Sequence, residues 1–533
     1  MTIHPLRSSA PLSKSRYVHG MQCPLYVWLE VRTDEPKAEA DAFTQALFGS
    51  GHQVGALAQR RWDERLRAAG KALGLLVDDD PLHHAAATAQ TQEALAGGAS
   101  VIYEAAFTHG GVKVRVDVLE RLPDGTFGVF EVKQTTAYDK KKHLRDAAVQ
   151  RWVVGGAGLE VSRVCLVHLN GSYEWPGGDY DLEALFAETD ITAEVAAVQD
   201  ETGINVARVL RIVECDDPPT VPQGTPCTTP YACPYLAGCP ALGEPIEHPV
   251  SELRGNTKAL VKRAAAVGVV SLLEIDAASA GQILTTAGGD LNDHWYATWK
   301  ATATGERIVL PSFRDTLARL DYPLYHLDFE AIAAPLPLVV HTHPFEAVPL
   351  QYSVHVEQAD GGLEHREFLA AWDDPDPRRS LIDAMLVDLG ASGSIIHWAD
   401  YEKTIIRRLM ENPLYSEYHG RLHALTDRLV DLGRAVDVGV FQREFHGKWS
   451  LKVVYPALVP DGAAADVHEG TGVFYYEDLE GPARGDEAAL WLAEYLMAST
   501  TAGRRDEIRR QLLRYCNLDT LATVRVLRAL RGL

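Results

Sequence analysis

An alternating stretch from Val112 to Lys133 constrains the fold of this chain more than any other part of its sequence. Valines alternate with polar residues up to Asp117, a Pro-Asp-Gly turn follows, and a second apolar run leads to Glu131. This pattern predicts an antiparallel β-hairpin. Because side chains two residues apart on a strand share a face, we expect Glu131 and Lys133 to project together and Asp117 to meet them from the paired strand.

Two carboxylates that converge beside a lysine can hold a hard divalent cation. The ammonium group can then orient a water or stabilise a developing negative charge, which is the chemistry of phosphodiester cleavage. Glu104, which precedes the hairpin, is a further candidate acid. The alternative is an ordinary salt bridge between Glu131 and Lys133 on a solvated face, which is the commoner meaning of a lone Glu-x-Lys sequence.

Asp117, Glu131 and Lys133 resemble the motif of the RecB-like PD-(D/E)XK nucleases, in which a Gln on the next helix completes the site. Gln150 lies in a helix-like run and fits that position, although Val154 stands where the family often has a Tyr. The resemblance implies that Asp117 and Glu131 bind Mg²⁺ or Mn²⁺. It also implies that Lys133 and Gln150 complete the catalytic site.

The length and charge of the chain limit what it can be. At 533 residues it exceeds one hydrophobic core, so two or three domains are expected. A net charge of -22 opposes affinity of the whole surface for nucleic acid, so binding would depend on local basic grooves and on metal ions. No segment is apolar for long enough to span a bilayer, which predicts a cytoplasmic protein without membrane contact.

Seven cysteines in such a chain are expected to be metal ligands or buried thiols, not disulfides. One lies at Cys23, and three recur with five residues between them in a proline-containing stretch: Cys227, Cys233 and Cys239. Four thiolates can hold a 4Fe-4S cluster. Tetrahedral zinc is the alternative, although these separations are wider than those usual for zinc fingers. The remaining three are predicted to be buried thiols: Cys165, Cys215 and Cys516.

The four-cysteine pattern resembles the iron-sulfur clasp of RecB-like nucleases, including the CRISPR adaptation exonucleases, over about residues 12–240. In that family the cluster ties the N-terminal segment to the C-terminal end of the nuclease domain. The resemblance implies a restriction-endonuclease-like domain with an iron-sulfur clasp over residues 1–245. A basic run that begins at Lys140 either grips a phosphate backbone or is a solvated helix face.

Residues 246–315 are predicted to form a small helical linker, somewhat like a helix-hairpin-helix, and a spacer without chemistry is the alternative. Three short acidic motifs then follow in order within residues 316–533. They are Asp328 and Glu330 on a predicted strand, Glu402 or Asp400 at a strand–helix junction, and Tyr515 and Asp519 one turn apart on a predicted helix.

These motifs resemble the DnaQ-like DEDD exonucleases of the ribonuclease-H-like fold, tyrosine subtype. The resemblance implies that Asp328, Glu330 and Asp519 are ligands for two metal ions and that Tyr515 positions the attacking water. Matching of the second motif favours Glu402 over Asp400.

The predicted fold class is α/β, with two mixed-sheet nuclease domains, restriction-endonuclease-like and ribonuclease-H-like, joined by the small helical segment. The predicted function is a metal-dependent DNA nuclease with two active sites that acts on single-stranded DNA or DNA ends, in repair or in defence against foreign DNA. An RNA-processing exonuclease and a nucleic-acid-binding scaffold with a decayed site are the alternatives. The layout also resembles an uncharacterised bacterial protein group.

Overall fold

The chain forms an α/β protein that divides into two compact units. Unit 1 contains residues 1–243 and 335–345, and unit 2 contains residues 244–334 and 346–533. The residues predicted as a separate helical linker therefore belong to unit 2. The computed structural model describes residues 11–34, 37, 42–78, 80–221, 227–236, 239, 246–255, 257–286, 288–459, 481–482 and 484–532.

One mixed sheet of seven strands organises unit 1. Its strands are β1 (Leu12–Ser13), β2 (Leu75–Leu76), β3 (Val101–His109), β4 (Val112–Arg121), β5 (Phe127–Lys133), β6 (Val161–Leu169) and β7 (Phe186–Asp190). They lie in the order β2-β3-β4-β5-β6-β7, and β1 pairs with β4 in parallel. Strands β4 and β5 pair antiparallel, which confirms the predicted hairpin.

Helices cover both faces of this sheet. They are α1 (Lys14–Gln22), α2 (Pro24–Arg32), α3 (Ala42–Ala68), α4 (His84–Ala96), α5 (Lys140–Gly156), α6 (Leu182–Leu185), α7 (Thr192–Ala197) and α8 (Gln199–Glu214). Alternate residues of the strands belong to two separate hydrophobic cores, because successive side chains point to opposite faces of the sheet. Ile102 joins the core with α4 and α5, whereas its neighbour Tyr103 joins the core with α3.

Unit 2 contains a five-stranded sheet and a separate two-stranded one. Its strands are β8 (Ile308–Val309), β9 (Leu324–Ile332), β10 (Val348–Glu357), β11 (Leu363–Leu369), β12 (Ile395–His397), β13 (Leu429–Asp431) and β14 (Val440–Phe441). The larger sheet has the order β11-β10-β9-β12-β13. Strands β11, β10 and β9 are antiparallel neighbours, and β9, β12 and β13 are parallel neighbours.

The helices of unit 2 pack on the two faces of the larger sheet or form the segment that precedes it. They are α9 (Thr257–Ala266), α10 (Ala277–Ile283), α11 (Asp293–Thr304), α12 (Pro311–Ala318), α13 (Pro377–Asp388), α14 (Tyr401–Glu411), α15 (His419–Thr426), α16 (Leu432–Gly439), α17 (Leu451–Leu458), α18 (Gly485–Leu496) and α19 (Ala502–Arg531). Among the described residues, no helix is both long and apolar enough to cross a membrane.

Helix α19 is fixed to the sheet by buried polar contacts as well as by apolar packing. Gln351 of β10 donates its Nε2 to the carbonyl oxygen of Leu512 at 2.8 Å. The hydroxyls of Ser353 and Thr520 lie 2.8 Å apart. Buried hydrogen bonds of this kind fix the register of the helix against the strands. They set the positions of the side chains that α19 contributes to the candidate site of unit 2.

Candidate active sites

Glu131, at the end of β5, is the centre of the first cluster, and its side chain is only 1% exposed. Lys133 Nζ lies 2.7 Å from Glu131 Oε1, and Lys14 Nζ donates to the same oxygen at 2.8 Å. Gln150 of α5 donates its Nε2 to Glu131 Oε2. Lys133 Nζ also lies 3.2 Å from Asp146 Oδ2. We call these residues, together with Asp117 and Glu104, the Glu131 site.

Asp117 meets this group from the paired strand, as the hairpin predicts. Its Oδ2 accepts a hydrogen bond from the backbone N–H of Val132 at 2.6 Å. Burial, together with the nearby carboxylates of Glu131 and Glu104, raises the pKa of Asp117 to about 7, although two lysines oppose the shift. The carboxylates of Asp117 and Glu131 therefore repel each other across the paired strands.

Charges of opposite sign keep Glu131 ionised. Burial disfavours its charged form, but Lys133 and Lys14 outweigh burial and hold the pKa of Glu131 well below its usual range. Burial likewise disfavours the charged form of Lys133, while Glu131 and Asp146 raise its pKa well above the usual value. The Glu131 end of the salt bridge is buried and Lys133 is 31% exposed, so the pair does not lie on a fully solvated face.

Glu104 of β3 lies beside Asp117 in a strained conformation. The antiparallel register pairs Tyr103 with Val118 and Ala105 with Val116, which places Glu104 opposite Asp117. Its φ is 55°, in the left-handed region that side chains other than glycine rarely adopt. Such strain costs about 1–3 kcal/mol and persists only where the surroundings impose it, most often at functional sites.

Two members of this site, Lys14 and Asp146, are not predicted from the sequence. Lys14 begins α1 directly after the N-cap Ser13, and the short strand before it pairs with β4. Nothing local in the sequence places that helix against β5. Asp146 lies four residues before Gln150 on α5, so a search for acids one helical turn from Gln150 would have found it.

A basic cavity adjoins α5. Lys140, Lys141 and Arg145 line a volume of about 380 Å³, together with Tyr17 of α1. The predicted basic run therefore lies at the start of the helix that carries Gln150 and faces a concave surface.

The four predicted cluster ligands lie together, all half-buried. The N–H of Cys233 donates to the carbonyl oxygen of Cys227 at 2.9 Å, and Cys23 caps the C-terminus of α1. Burial raises the pKa of the Cys233 thiol, and so do the neighbouring thiols of Cys23, Cys239 and Cys227. Tyr235 packs in the apolar cluster that Cys23, Cys233 and Cys239 border.

The other three cysteines differ from one another. Cys165 and Cys516 are buried, as predicted, but the prediction for Cys215 is wrong because this residue is exposed. Cys215 directly follows the last turn of α8, and its Sγ donates to the carbonyl oxygen of Arg211 at 3.2 Å. The backbone of Cys215 packs inward, where its carbonyl oxygen accepts from Trp28 Nε1. Its side chain therefore lies toward solvent.

The second cluster, in unit 2, consists of carboxylates. Asp328 and Glu330 alternate on β9, and Cys516 Sγ of α19 donates to Asp328 Oδ2 at 3.5 Å. One ligand atom from each of these three residues lies within 4.8 Å of the other two. We call these residues, together with Glu402, Tyr515 and Asp519, the Asp328 site.

The carboxylates of this cluster repel one another in a buried place. Burial raises the pKa of Asp328 well above its usual value, and Asp519, Glu330 and Glu402 add to the shift. The pKa of Glu330 is raised for the same reasons, with Lys452 as an opposing positive charge. Like charges this close cannot all be ionised without a compensating cation.

The structure brings Glu402, not Asp400, into the cluster. Glu402 is 3% exposed on the first turn of α14, and it lies close enough to Asp328 to help raise the pKa of that carboxyl. His397 Nδ1 lies 3.5 Å from Glu402 Oε2. Asp400 is exposed at the N-cap position, and its backbone carbonyl accepts from Thr404. Of the two acids at the strand–helix junction, Glu402 is therefore the one that belongs to the site.

Asp519 projects from α19 toward these carboxylates, and Tyr515 lies one turn before it on the same helix. Both are buried, and Asp519 raises the pKa of both Asp328 and Glu330. Lys452 of α17 donates its Nζ to Tyr515 Oη at 3.2 Å. Lys452, His397 and Cys516 are members that the sequence motifs did not assign to the site; only their contacts across the fold identify them.

Comparisons with known proteins give little further information. Residues 325–450 match the family model described as "Domain of unknown function (DUF2779)". No curated protein matches the chain. One solved structure, titled "Crystal structure of SSO0001", is similar at 14% sequence identity and a TM-score of 0.20, over 44% of this chain and 88% of that one.

Proposed function

We propose that this chain is a metal-dependent nuclease with two active sites, which cleaves phosphodiester bonds in single-stranded DNA or at DNA ends. The observation that carries the proposal is the Asp328 site, where four acidic side chains converge although burial and mutual repulsion disfavour their charged forms. Proteins retain such an arrangement where a cation compensates the charge.

The fold of unit 2 supports this assignment. Three antiparallel neighbours followed by two parallel strands are expected of a ribonuclease-H-like domain, and the acids come from β9, α14 and α19 in that order along the chain. Asp328, Glu330 and Asp519 are the residues that would hold two Mg²⁺ or Mn²⁺ ions, which supply an activated water and neutralise the leaving oxygen when bound. The hydroxyl of Tyr515, held by Lys452, is placed to orient the nucleophile.

The Glu131 site supports a second nuclease centre in unit 1. Asp117 and Glu131 offer oxygen ligands for one hard cation, which is the donor type that Mg²⁺ prefers. Lys133 keeps its charge and can stabilise negative charge on the phosphate, since Glu131 and Asp146 hold its pKa high. The basic cavity beside α5 provides cationic groups for a nucleic-acid backbone despite the net charge of -22.

For the four cysteines we propose an iron-sulfur cluster, with a single zinc ion as the alternative. Tetrahedral zinc with Zn–S bonds of about 2.3 Å requires sulfur atoms about 3.8 Å apart. Among the described residues, no three cysteines have their sulfur atoms within 4.8 Å of one another. A 4Fe-4S cluster is larger than one ion and holds its thiolates farther apart. Cys23, Cys227, Cys233 and Cys239 would then tie α1 to the segment after α8, in a structural role.

The proposal is tested by a time course of cleavage of end-labelled DNA, single-stranded and double-stranded, in Mn²⁺. Glu131→Gln and Asp328→Asn should each abolish one of two product patterns, with a loss of at least about 100-fold. Matched controls are Glu64→Gln in unit 1 and Glu364→Gln on β11, whose side chains are 44% and 61% exposed. Cleavage of DNA at wild-type rates by the combined Glu131→Gln, Asp328→Asn protein would refute both assignments, and matched RNA strands define the preferred polymer.

A further inference from the structure

We propose that His248, Glu252 and His446 of unit 2 form a binding site for a divalent transition metal ion, with zinc as its preferred occupant. Glu252 presents one oxygen to each histidine: Oε2 lies 3.0 Å from His248 Nδ1, and Oε1 lies 3.1 Å from His446 Nδ1. One ligand atom from each residue lies within 4.8 Å of the other two. None of these residues belongs to the two nuclease sites, so the inference goes beyond the proposed function.

The distances already approach those of a coordinated ion. Zinc bonds of about 2.0–2.1 Å to nitrogen and oxygen place neighbouring tetrahedral ligand atoms about 3.3 Å apart. Both His–Glu separations lie near this value, each to a different oxygen of Glu252, and one ligand atom from each of the three residues lies within 4.8 Å of the other two. Two imidazoles and one carboxylate favour zinc over Mg²⁺ or Ca²⁺, which prefer all-oxygen sites.

Two segments that are far apart in sequence meet at this candidate zinc site. His248 and His446 both have a φ of 48°, a left-handed conformation that is strained for residues other than glycine. Gly447 has a φ of 65°, and a Cβ atom at this position would collide with the backbone oxygen of Glu252. The segment at residues 246–255 and the turn at residues 443–449 therefore approach as closely as their backbones allow.

The burial of the three residues suits a site with one open position. His248 is buried, and its carbonyl oxygen accepts from Leu272 N at 2.7 Å, which fixes its backbone. The side chain of His446 is 57% exposed, so the ion can enter from solvent and keep one water ligand. The two rings stack with centroids 4.9 Å apart and 12° between their planes.

Zinc content and zinc affinity of the full-length protein test the inference. After incubation with ZnCl₂ and removal of the excess, His446→Ala should carry one equivalent of zinc fewer than the wild-type protein. Competition with a chromophoric chelator should show affinity at this site at least about tenfold weaker, which is about 1.4 kcal/mol. Zinc at the cysteines does not affect the comparison, because it is common to all the proteins measured.

The matched control is His83→Ala. His83 is 58% exposed and lies 3.0 Å from an Asp78 oxygen, so it reproduces the exposed histidine–carboxylate pair without a second histidine. It should keep the wild-type zinc content. Glu252→Gln serves as a second variant, which keeps the shape of the side chain and should also lose one equivalent. Wild-type zinc content and affinity in both His446→Ala and Glu252→Gln would overturn the inference and leave two ion pairs in its place.

Discussion

The two candidate nuclease sites differ in how the negative charge of their buried carboxylates is neutralised. At the Glu131 site, Lys14 and Lys133 are built into the protein and neutralise the central carboxylate. At the Asp328 site, buried acids face one another, and Lys452 is the positive group that opposes the shift of Glu330. The protein itself therefore neutralises Glu131 at the first site, although Asp117 beside it is still repelled, whereas the acids of the second site need a cation or protons to lie together.

This difference predicts opposite effects of removing one carboxylate from each site, and the larger effect is expected at the Glu131 site. Glu131→Gln leaves Lys14 and Lys133 without their shared buried partner. Loss of one member of a buried ion pair costs about 3 kcal/mol or more. Hydrogen exchange of the β5 backbone amides should report this loss of stability in unit 1.

The matched control for this measurement is Glu64→Gln, which removes a carboxylate from an exposed pair with Arg60 on α3. Exposed pairs of this type contribute at most about 1 kcal/mol. Equal protection of β5 in the Glu131→Gln and Glu64→Gln proteins would show that the lysines do not depend on Glu131.

Asp328→Asn should instead stabilise the protein when metal is removed with EDTA. The substitution relieves repulsion with Asp519, Glu330 and Glu402. One pKa unit of relieved repulsion corresponds to about 1.4 kcal/mol, so a gain of about 1 kcal/mol or more is expected. The midpoint temperature of unfolding of unit 2 measures it, and a lower midpoint than that of the wild-type protein would contradict the proposed repulsion.

The two central carboxylates, Asp328 and Glu131, should respond to pH with opposite signs, whereas Asp117, whose pKa is raised to about 7, should respond as Asp328 does. The folded-state pKa of Asp328 is raised, so its contribution to stability is present below the usual value of 3.8 and is lost as pH rises toward the folded pKa. The pKa of Glu131 is lowered, so its contribution is present above the usual value of 4.5 and is lost as pH falls through the folded pKa. In EDTA, unit 2 should therefore lose stability from about pH 4 upward, and Asp328→Asn should reduce that loss.

The sequence indicated the acids of both sites more fully than the groups that hold them. Asp117 and Glu131 follow from strand alternation and a turn, and Asp328 with Glu330 follows from a period of two; these are local rules. Lys14 and Lys452 reach their partners only through pairing across 117 and 63 residues of chain, respectively. Contacts of that kind depend on packing that no local pattern encodes.

The same limit of local patterns explains why the sequence identified the cysteine ligands but not the group of His248, Glu252 and His446. Spacing singled out Cys23, Cys227, Cys233 and Cys239, because repeated separations stand out in a sequence. His248, Glu252 and His446 have no such spacing, since nearly 200 residues separate the two segments that the fold brings together. Their left-handed backbone angles are likewise visible only in the folded chain.

Lys14→Gln tests whether the lysines that neutralise Glu131 are equivalent in function. Lys14 contacts Glu131 Oε1, as Lys133 does, but the contacts place only Lys133 beside a second acid, Asp146. We expect cleavage by the first site to fall about tenfold, because Glu131 loses one of two charge-assisted hydrogen bonds that orient it. The assay uses the Asp328→Asn background, in which only the first site cleaves.

Lys37→Gln is the control for that experiment, since Lys37 forms an exposed ion pair with Glu30 in the same unit. A far-ultraviolet circular dichroism spectrum establishes that each variant keeps its fold. If Lys14→Gln cleaves at the rate of the control, then Lys133 alone orients Glu131 and the two lysines are not equivalent.

The last comparison concerns the strand–helix junction, where the sequence left two acids open and where the smallest change is expected for Asp400→Asn. Glu402 is buried and helps raise the pKa of Asp328, so Glu402→Gln should impair cleavage by the second site by about 100-fold. Asp400 is exposed at the N-cap of α14 without a side-chain capping bond, so Asp400→Asn should change the rate by less than about twofold. Both are measured in the Glu131→Gln background. A larger loss in Asp400→Asn than in Glu402→Gln would mean that the nucleic acid or the cation recruits the exposed acid, and that burial does not select the ligand at this junction.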